Sequence, residues 1–131
     1  MENNIVLTTM TMVYDDKGNI IVQNRIKKDW PGINFPGGHV ELNESIIESA
    51  IREYKEETNL DIFDLKCCGY YEWNMISDDK RHLSILFKTN KYKGEIKSSK
   101  EGEIFFINIK DIDKYPQALD FKEVLECMLK Y

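Results

Sequence analysis

Apolar and β-branched side chains dominate residues 5–14, and the pattern resumes over 19–25 after the turn signal Asp15, Asp16, Lys17, Gly18. That predicts a strand, a tight turn and a returning strand. Residues 27–34 form a polar loop holding Trp30, Pro31 and Gly32. Phe35, Pro36, Gly37 and Gly38 then make a rigid-then-flexible corner, followed by a short extended piece to Glu41. From Ser45 to about Thr58 the period changes. Ile47, Ala50, Ile51, Tyr54 and Thr58 recur at helical spacing and predict one apolar face. Ser45 with Glu48 three residues later is a capping-box pattern, and Asn59 can take the left-handed backbone that ends a helix. Strands are predicted over 65–73 and 81–89, with a turn at 77–80, and over 103–109; residues 91–102 read as a polar loop. Beyond Pro116, the residues Ala118, Phe121, Val124, Leu125, Met128 and Leu129 mark a closing amphipathic helix. This order predicts one α/β (α+β) domain with a mixed sheet between helices.

The 131 residues carry 18 Lys+Arg against 23 Asp+Glu, a net charge of −5, with a hydrophobic fraction of 42%. That is ample for a core and too apolar for a disordered chain. No apolar run is long enough to span a membrane, and the start Met1, Glu2, Asn3, Asn4 does not resemble a signal peptide. Cys67, Cys68 and Cys127 are odd in number and lack zinc-ligand spacing, which fits a reducing cytoplasm. The acidity argues against binding duplex nucleic acid through its phosphates. The expectation is a cytoplasmic protein, monomer or homodimer, with a small-molecule partner.

On the predicted helix each residue advances about 100°, so Glu56 and Glu57 fall within about 60° of Glu53 on either side. Like charges at this spacing oppose helix stability, and acids near a helix C-terminus meet the negative end of the dipole. The ordinary reading is a solvated acidic face; the sharper one is a divalent-cation site, since hard cations take oxygen ligands. Taken alone, the triplet does not choose. Gly37 and Gly38 just upstream permit a close backbone approach to a ligand. Their combination with Glu44, Arg52, Glu53, Glu56 and Glu57 at fixed spacing is far more specific than either part.

Residues 38–60 read GHVELNESIIESAIREYKEETNL: Gly38, five residues, Glu44, seven residues, Arg52 and Glu53, then Glu56, Glu57 and Leu60. This resembles the box of the Nudix hydrolases. Tyr54 stands where the box has an aliphatic residue and Asn59 where it has glycine; neither departure removes a charge. The resemblance implies a Nudix-type α/β/α sandwich and hydrolysis of a nucleoside diphosphate linked to a further moiety. It implies that Glu53, Glu56 and Glu57, with a carbonyl of Gly37 or Gly38, hold Mg²⁺ or Mn²⁺. It gives Arg52 the task of orienting a helix carboxylate and Glu44 that of bracing the loop by pairing with Arg52. Glu53 or Glu57 would accept the proton of an attacking water.

Within the family the chain looks most like the MutT type, which cleaves 8-oxo-dGTP to the monophosphate and pyrophosphate. The stretch NFPGGHVE and the acidic loop 94–103 before the late strand carry that likeness. No proline lies between Pro36 and Pro116, and residues 76–79 are Ile, Ser, Asp, Asp, which counts against ADP-ribose and dinucleoside polyphosphate enzymes respectively. An ADP-ribose or nucleotide-sugar pyrophosphatase is the first alternative and a non-catalytic nucleotide sensor the second. The likeness makes Glu101 the first choice for a further metal-linked carboxylate, with Glu103 the alternate and a solvated loop equally open. Asp120 is a candidate reader of a purine edge, against the plain alternative of a helix-N-terminal carboxylate. Phe35 is the best stacking candidate; Phe106 and Trp73 have a core role as the competing reading. Arg25 is a candidate phosphate or base contact against the default of a surface arginine. His39, His82 and the two adjacent cysteines read as structural.

Overall fold

A computed structural model describes residues 4–25, 31–74 and 78–131; Trp30, Ile76 and Ser77 lie outside them. In chain order the elements are β1 (Ile5–Val13), β2 (Asn19–Arg25), β3 (Gly32–Asn34), β4 (Gly37–His39), α1 (Ile46–Thr58), β5 (Asp61–Phe63), β6 (Lys66–Trp73), β7 (Arg81–Thr89), β8 (Lys91–Lys93), β9 (Gly102–Asn108), a 3-10 turn (Ile109–Lys114) and α2 (Phe121–Leu129).

Asp15 closes the first turn as expected, its carboxylate accepting from the backbone N–H of Lys17 at 2.8 Å and of Asn19 at 2.9 Å. The chain nevertheless does not return as a hairpin. Both edges of β1 are taken, by β4 antiparallel and by β7 parallel, so β2 forms no ladder with it beyond the Tyr14–Ile20 bridge at the turn. β2 instead pairs antiparallel with β3 and β9. The result is a mixed four-stranded sheet, β4-β1-β7-β6, beside a three-stranded sheet, β3-β2-β9.

Strand alternation sends successive side chains to two cores. Met10, Met12, Ile20 and Val22 pack with Ile33, Phe35, Leu86 and the α2 residues Phe121, Val124, Leu125 and Met128. Val13, Ile21 and Ile104 pack on the other side with Tyr54, Leu60 and Ile62. The helices thus cover opposite faces, which is the sandwich with a mixed sheet that the pattern and the resemblance imply. The predicted α2 stripe holds except at Leu129, which is 51% exposed.

α1 begins at Ser45, whose hydroxyl accepts from the Glu48 N–H at 3.1 Å, and stops at Asn59 with φ +70°. Its orientation differs from the simple apolar-face reading. Ser49, Ala50, Tyr54 and Thr58 are buried, whereas Ile47 is 50% and Ile51 36% exposed. The helix is rolled so that Glu53 and Glu57 are half-buried at the expense of two isoleucines. The stretch read as a loop over 91–102 also contains β8, which pairs with β5. Strands of three residues carry too little pattern to announce themselves; each exists because a partner strand supplies its hydrogen bonds.

Candidate active site

The chain enters α1 through β4, and Arg52 ties that entry together. Its Nε donates to Glu44 at 2.9 Å and its Nη2 to the same carboxylate at 2.6 Å, a bidentate pair. Nη2 also donates to the His39 carbonyl at 3.0 Å, and Nη1 to Glu53 at 3.0 Å and Glu56 at 3.3 Å. Ser49, on the buried side, donates to the same His39 carbonyl at 3.3 Å. The guanidinium holds the Glu44 carboxyl down at about 2, with the Glu41 N–H assisting, and the Glu44 pair in turn raises Arg52.

Glu53 and Glu57 are in a different state. Burial pushes both carboxyls above the ordinary range; Arg52 only partly offsets this at Glu53, as does Gln23 at Glu57. Gln23 donates to Glu57 at 2.5 Å from the buried face of β2. Nothing in the sequence singles out Gln23. Its signal is parity: it shares a strand face with Ile21, which packs against α1. The Glu101 charge raises Glu57 further, and Glu101 lines the same cavity, whereas Glu103 is exposed on β9. The need for glycine at 37 and 38 is one of space. A Cβ on Gly38 would fall 2.3 Å from the Glu53 carboxylate, and one on Gly37 1.8 Å from the Thr9 carbonyl oxygen.

These groups line one half of a cavity of about 500 Å³ that also takes in Arg25, Gly37, Gly38, His39 and Glu56. The other half is bounded by Val6, Thr8, Met10, Phe35, Trp73 and Ala118, among others. Phe35 reaches it while remaining 3% exposed, stacked on Phe121 at 4.9 Å. Trp73 lines it too, and Tyr71 meets it edge-on at 4.9 Å. Phe106 does not line the cavity; it is 40% exposed beside Tyr92. Asp120 is N-terminal to α2, as the plain reading had it, but its side chain makes no capping bond. Its carboxylate accepts from the Tyr71 hydroxyl at 2.8 Å; burial, assisted by this bond, pushes that phenol up to about 12, and it is Ala118 and Leu119 that reach the cavity. His82 lines the cavity with its Nε2 2.8 Å from Asp78. Cys67 is exposed and Cys68 buried, and burial raises the Cys68 thiol, the reverse of an activated nucleophile.

Among the described residues, no three His, Cys, Asp or Glu side chains form a group able to hold a metal ion by themselves. The donor set nonetheless suits a hard cation: oxygen only, with two half-buried carboxylates whose charge burial leaves poorly compensated. Mg²⁺ is commonly held in this way, by one or two carboxylates with waters and substrate phosphates completing its shell rather than by a protein cage. Among the described residues no helix is long and apolar enough to cross a membrane.

Comparison with known proteins agrees with this geometry. The NUDIX domain family model matches residues 5–128. A protein of Bacillus subtilis (strain 168) named as the uncharacterized Nudix hydrolase YvcI is 27% identical over 128 residues, 95% of this chain and 78% of its own. An ADP-ribose pyrophosphatase of Methanocaldococcus jannaschii is 32% identical over 102 residues, 74% of this chain but 57% of its own, so the chain spans little over half of that relative. The crystal structure of a MutT NUDIX hydrolase from Burkholderia pseudomallei superposes with a TM-score of 0.83 at 15% identity, covering 95% of this chain and 98% of the other. With the family model spanning nearly every residue, and with the box on the helix that faces the cavity, the chain belongs to the NUDIX domain family and is a Nudix hydrolase.

Proposed function

We propose that this Nudix hydrolase cleaves a nucleoside triphosphate, with an oxidised purine nucleotide such as 8-oxo-dGTP as first candidate, to the monophosphate and pyrophosphate. Nudix hydrolases use divalent metal ions, and Mg²⁺ is the proposed one, with Mn²⁺ as its substitute. One observation carries the reading: a single cavity joins the half-buried Glu53 and Glu57 to an apolar and aromatic end bounded by Phe35, Trp73, Ala118 and Leu119. A triphosphate fits the first half through cations and a base fits the second through stacking and burial. The purine preference is supported by the likeness of residues 34–41 and 94–103 to MutT-type sequences.

Glu53, Glu56 and Glu57, the Gly37 or Gly38 carbonyl and Glu101 are the groups proposed to hold the cation. When bound, it neutralises phosphate oxygens and acidifies a coordinated water. The remaining work falls to the chain's own side chains. Glu53 or Glu57 takes the proton of the attacking water; their raised basicity suits that role. Gln23 fixes one oxygen of Glu57, and Arg52, itself held by Glu44, fixes one oxygen of Glu53. Arg25, which lines the cavity from β2, is the proposed contact for a phosphate or the base.

The second reading, ADP-ribose hydrolysis, is favoured by the 32% identity to the M. jannaschii pyrophosphatase. A product screen over normal and oxidised nucleotides with Mg²⁺ separates them. Monophosphate plus pyrophosphate from a triphosphate supports the proposal. AMP plus ribose 5-phosphate from ADP-ribose would replace it, and metal-independent binding without turnover would make the chain a sensor.

A further inference from the structure

The floor of the cavity's second half is a face of the four-stranded sheet. Thr8 on β1 lies opposite Ser84 on β7, with Trp73 of β6 on the far side. Among apolar and aromatic neighbours such as Val6, Met10 and Phe35, two adjacent hydroxyls are out of place unless their bonds are made. They are made to each other and to the indole: Thr8 Oγ1 is 2.5 Å from Ser84 Oγ, and Trp73 Nε1–H donates to Ser84 Oγ at 3.0 Å.

Counting hydrogens gives the consequence. Three N–H and O–H donors meet here and two bonds join them, so one hydroxyl hydrogen is left unspent. Were it on Ser84, which is 1% exposed, a donor would be buried without an acceptor. Placed on Thr8, which is half-buried and lines the cavity, it faces the ligand space. The favoured order is therefore Trp73 to Ser84 to Thr8, a relay in which each bond polarises the next and the last donor points outward. Among the described residues, Arg25 on β2 is the Lys or Arg that lines the cavity; of its two histidines, His39 is the cross-strand neighbour of Thr8 on β4 and His82 is engaged by Asp78.

We infer that Thr8 is a specificity-determining residue: backed by Ser84 and Trp73, it donates a hydrogen bond to an acceptor, a ring nitrogen or exocyclic carbonyl, on the edge of a flat heterocycle. The inference rests on the nucleotide reading above and names the chemistry that site selects. A site built to donate discriminates against an analogue that lacks the acceptor.

The experiment compares the wild type with Thr8→Val, which keeps the shape and removes the hydroxyl, and Thr8→Ser, which restores it. The kinetic arm uses ITP, with a 6-carbonyl, and ATP, with a 6-amino group, alongside the best substrate of the product screen. Thr8→Val is expected to lower kcat/KM for the best substrate about tenfold, mainly through KM, and to shrink the ITP-to-ATP ratio of kcat/KM; Thr8→Ser restores both within about threefold. The binding arm titrates IMP and follows the Trp73 indole N–H resonance. A shift in wild type and Thr8→Ser that is lost in Thr8→Val supports the relay even if no triphosphate is hydrolysed, so a failure of the catalytic reading is seen separately. Unchanged KM and base preference in a folded Thr8→Val, or an IMP-induced indole shift that persists in it, overturns the inference. So does a Thr8→Ser variant that behaves like Thr8→Val.

Discussion

Glu44 and Glu57 are the same residue type, one just before α1 and one in its last turn, and their surroundings differ in every respect that matters. Glu44 takes two bonds from Arg52 and a third from the Glu41 N–H, and its carboxyl is held at about 2. Glu57 is half-buried with a neutral amide for a partner and the Glu101 charge nearby, and its carboxyl is pushed up. The first carboxylate is satisfied within the fold. The second is only partly compensated within the fold, since the Gln23 bond and the Arg25 charge offset burial incompletely. One motif thus contains two classes of acid, those whose charge the fold compensates in full and those it compensates in part, and only the surroundings tell them apart.

The sharpest way to break this contrast is to remove the two charges in turn. Glu57→Gln is expected to lower kcat by roughly 10²–10⁴-fold, since a proton acceptor and cation ligand are lost together. Metal-free, the variant is expected to melt above the wild type, because the charge removed was penalised by burial. A lower Tm with retained turnover in the product assay would put Glu57 in the class of Glu44.

Arg52→Ala should act from the other side. Turnover falls by about 10–100-fold, the usual scale for losing an orienting partner, and the Tm falls as well, because Glu44, Glu53 and the His39 carbonyl lose a shared donor. The pH dependence carries the same sign. Glu44 titrates lower in the folded protein than its ordinary 4.5, so its contribution is full above 4.5 and is lost as pH falls from there through about 2. Urea midpoints measured across that window should fall in the wild type and fall less in Glu44→Gln. For Glu57 the raised carboxyl reverses the sign: its penalty is absent at low pH and grows as pH rises, so the Glu57→Gln gain in Tm should vanish near pH 4.

The smallest effect is expected at Gln23. Gln23→Leu removes one hydrogen bond to a charged group and should cost about tenfold in kcat/KM. Its Tm should fall modestly, because the half-buried Glu57 carboxylate loses the donor that offsets part of its burial.

What the sequence shows of this follows from the range of each interaction. α1, its cap at Ser45 and its stop at Asn59 are local, and spacing alone predicts them, whereas the Arg52–Glu44 pair is implied by the family resemblance. The long strands β2 and β7 also appear with their bounds intact. The roll of α1 that exposes Ile47 and Ile51 does not appear, because a helical wheel records which residues are apolar and not which neighbours await them. Gln23 and the Thr8–Ser84–Trp73 relay do not appear for the same reason: the first needs β2 brought against α1, and the second needs β1, β7 and β6 brought together in the sheet. Asp120 shows the limit most plainly. Its place before α2 was legible, while its bond to Tyr71, 49 residues away, was not.

The parallel pairing of β1 with β7 has a kinetic side. Thr8 and Ser84 stand 76 residues apart, and every rung of that ladder closes a loop of similar size. The entropy of closure must be met before the pairing returns anything, which slows folding relative to chains rich in local contacts. During synthesis, at about 5–20 residues per second, β1 emerges several seconds before its central partner exists. For that interval its β7 edge is an open strand edge carrying Met10, Met12 and Val13, the kind of segment that pairs with other chains. This floor of the cavity therefore cannot form until β7 has been made, and until then β1 keeps an open edge that can pair with other chains.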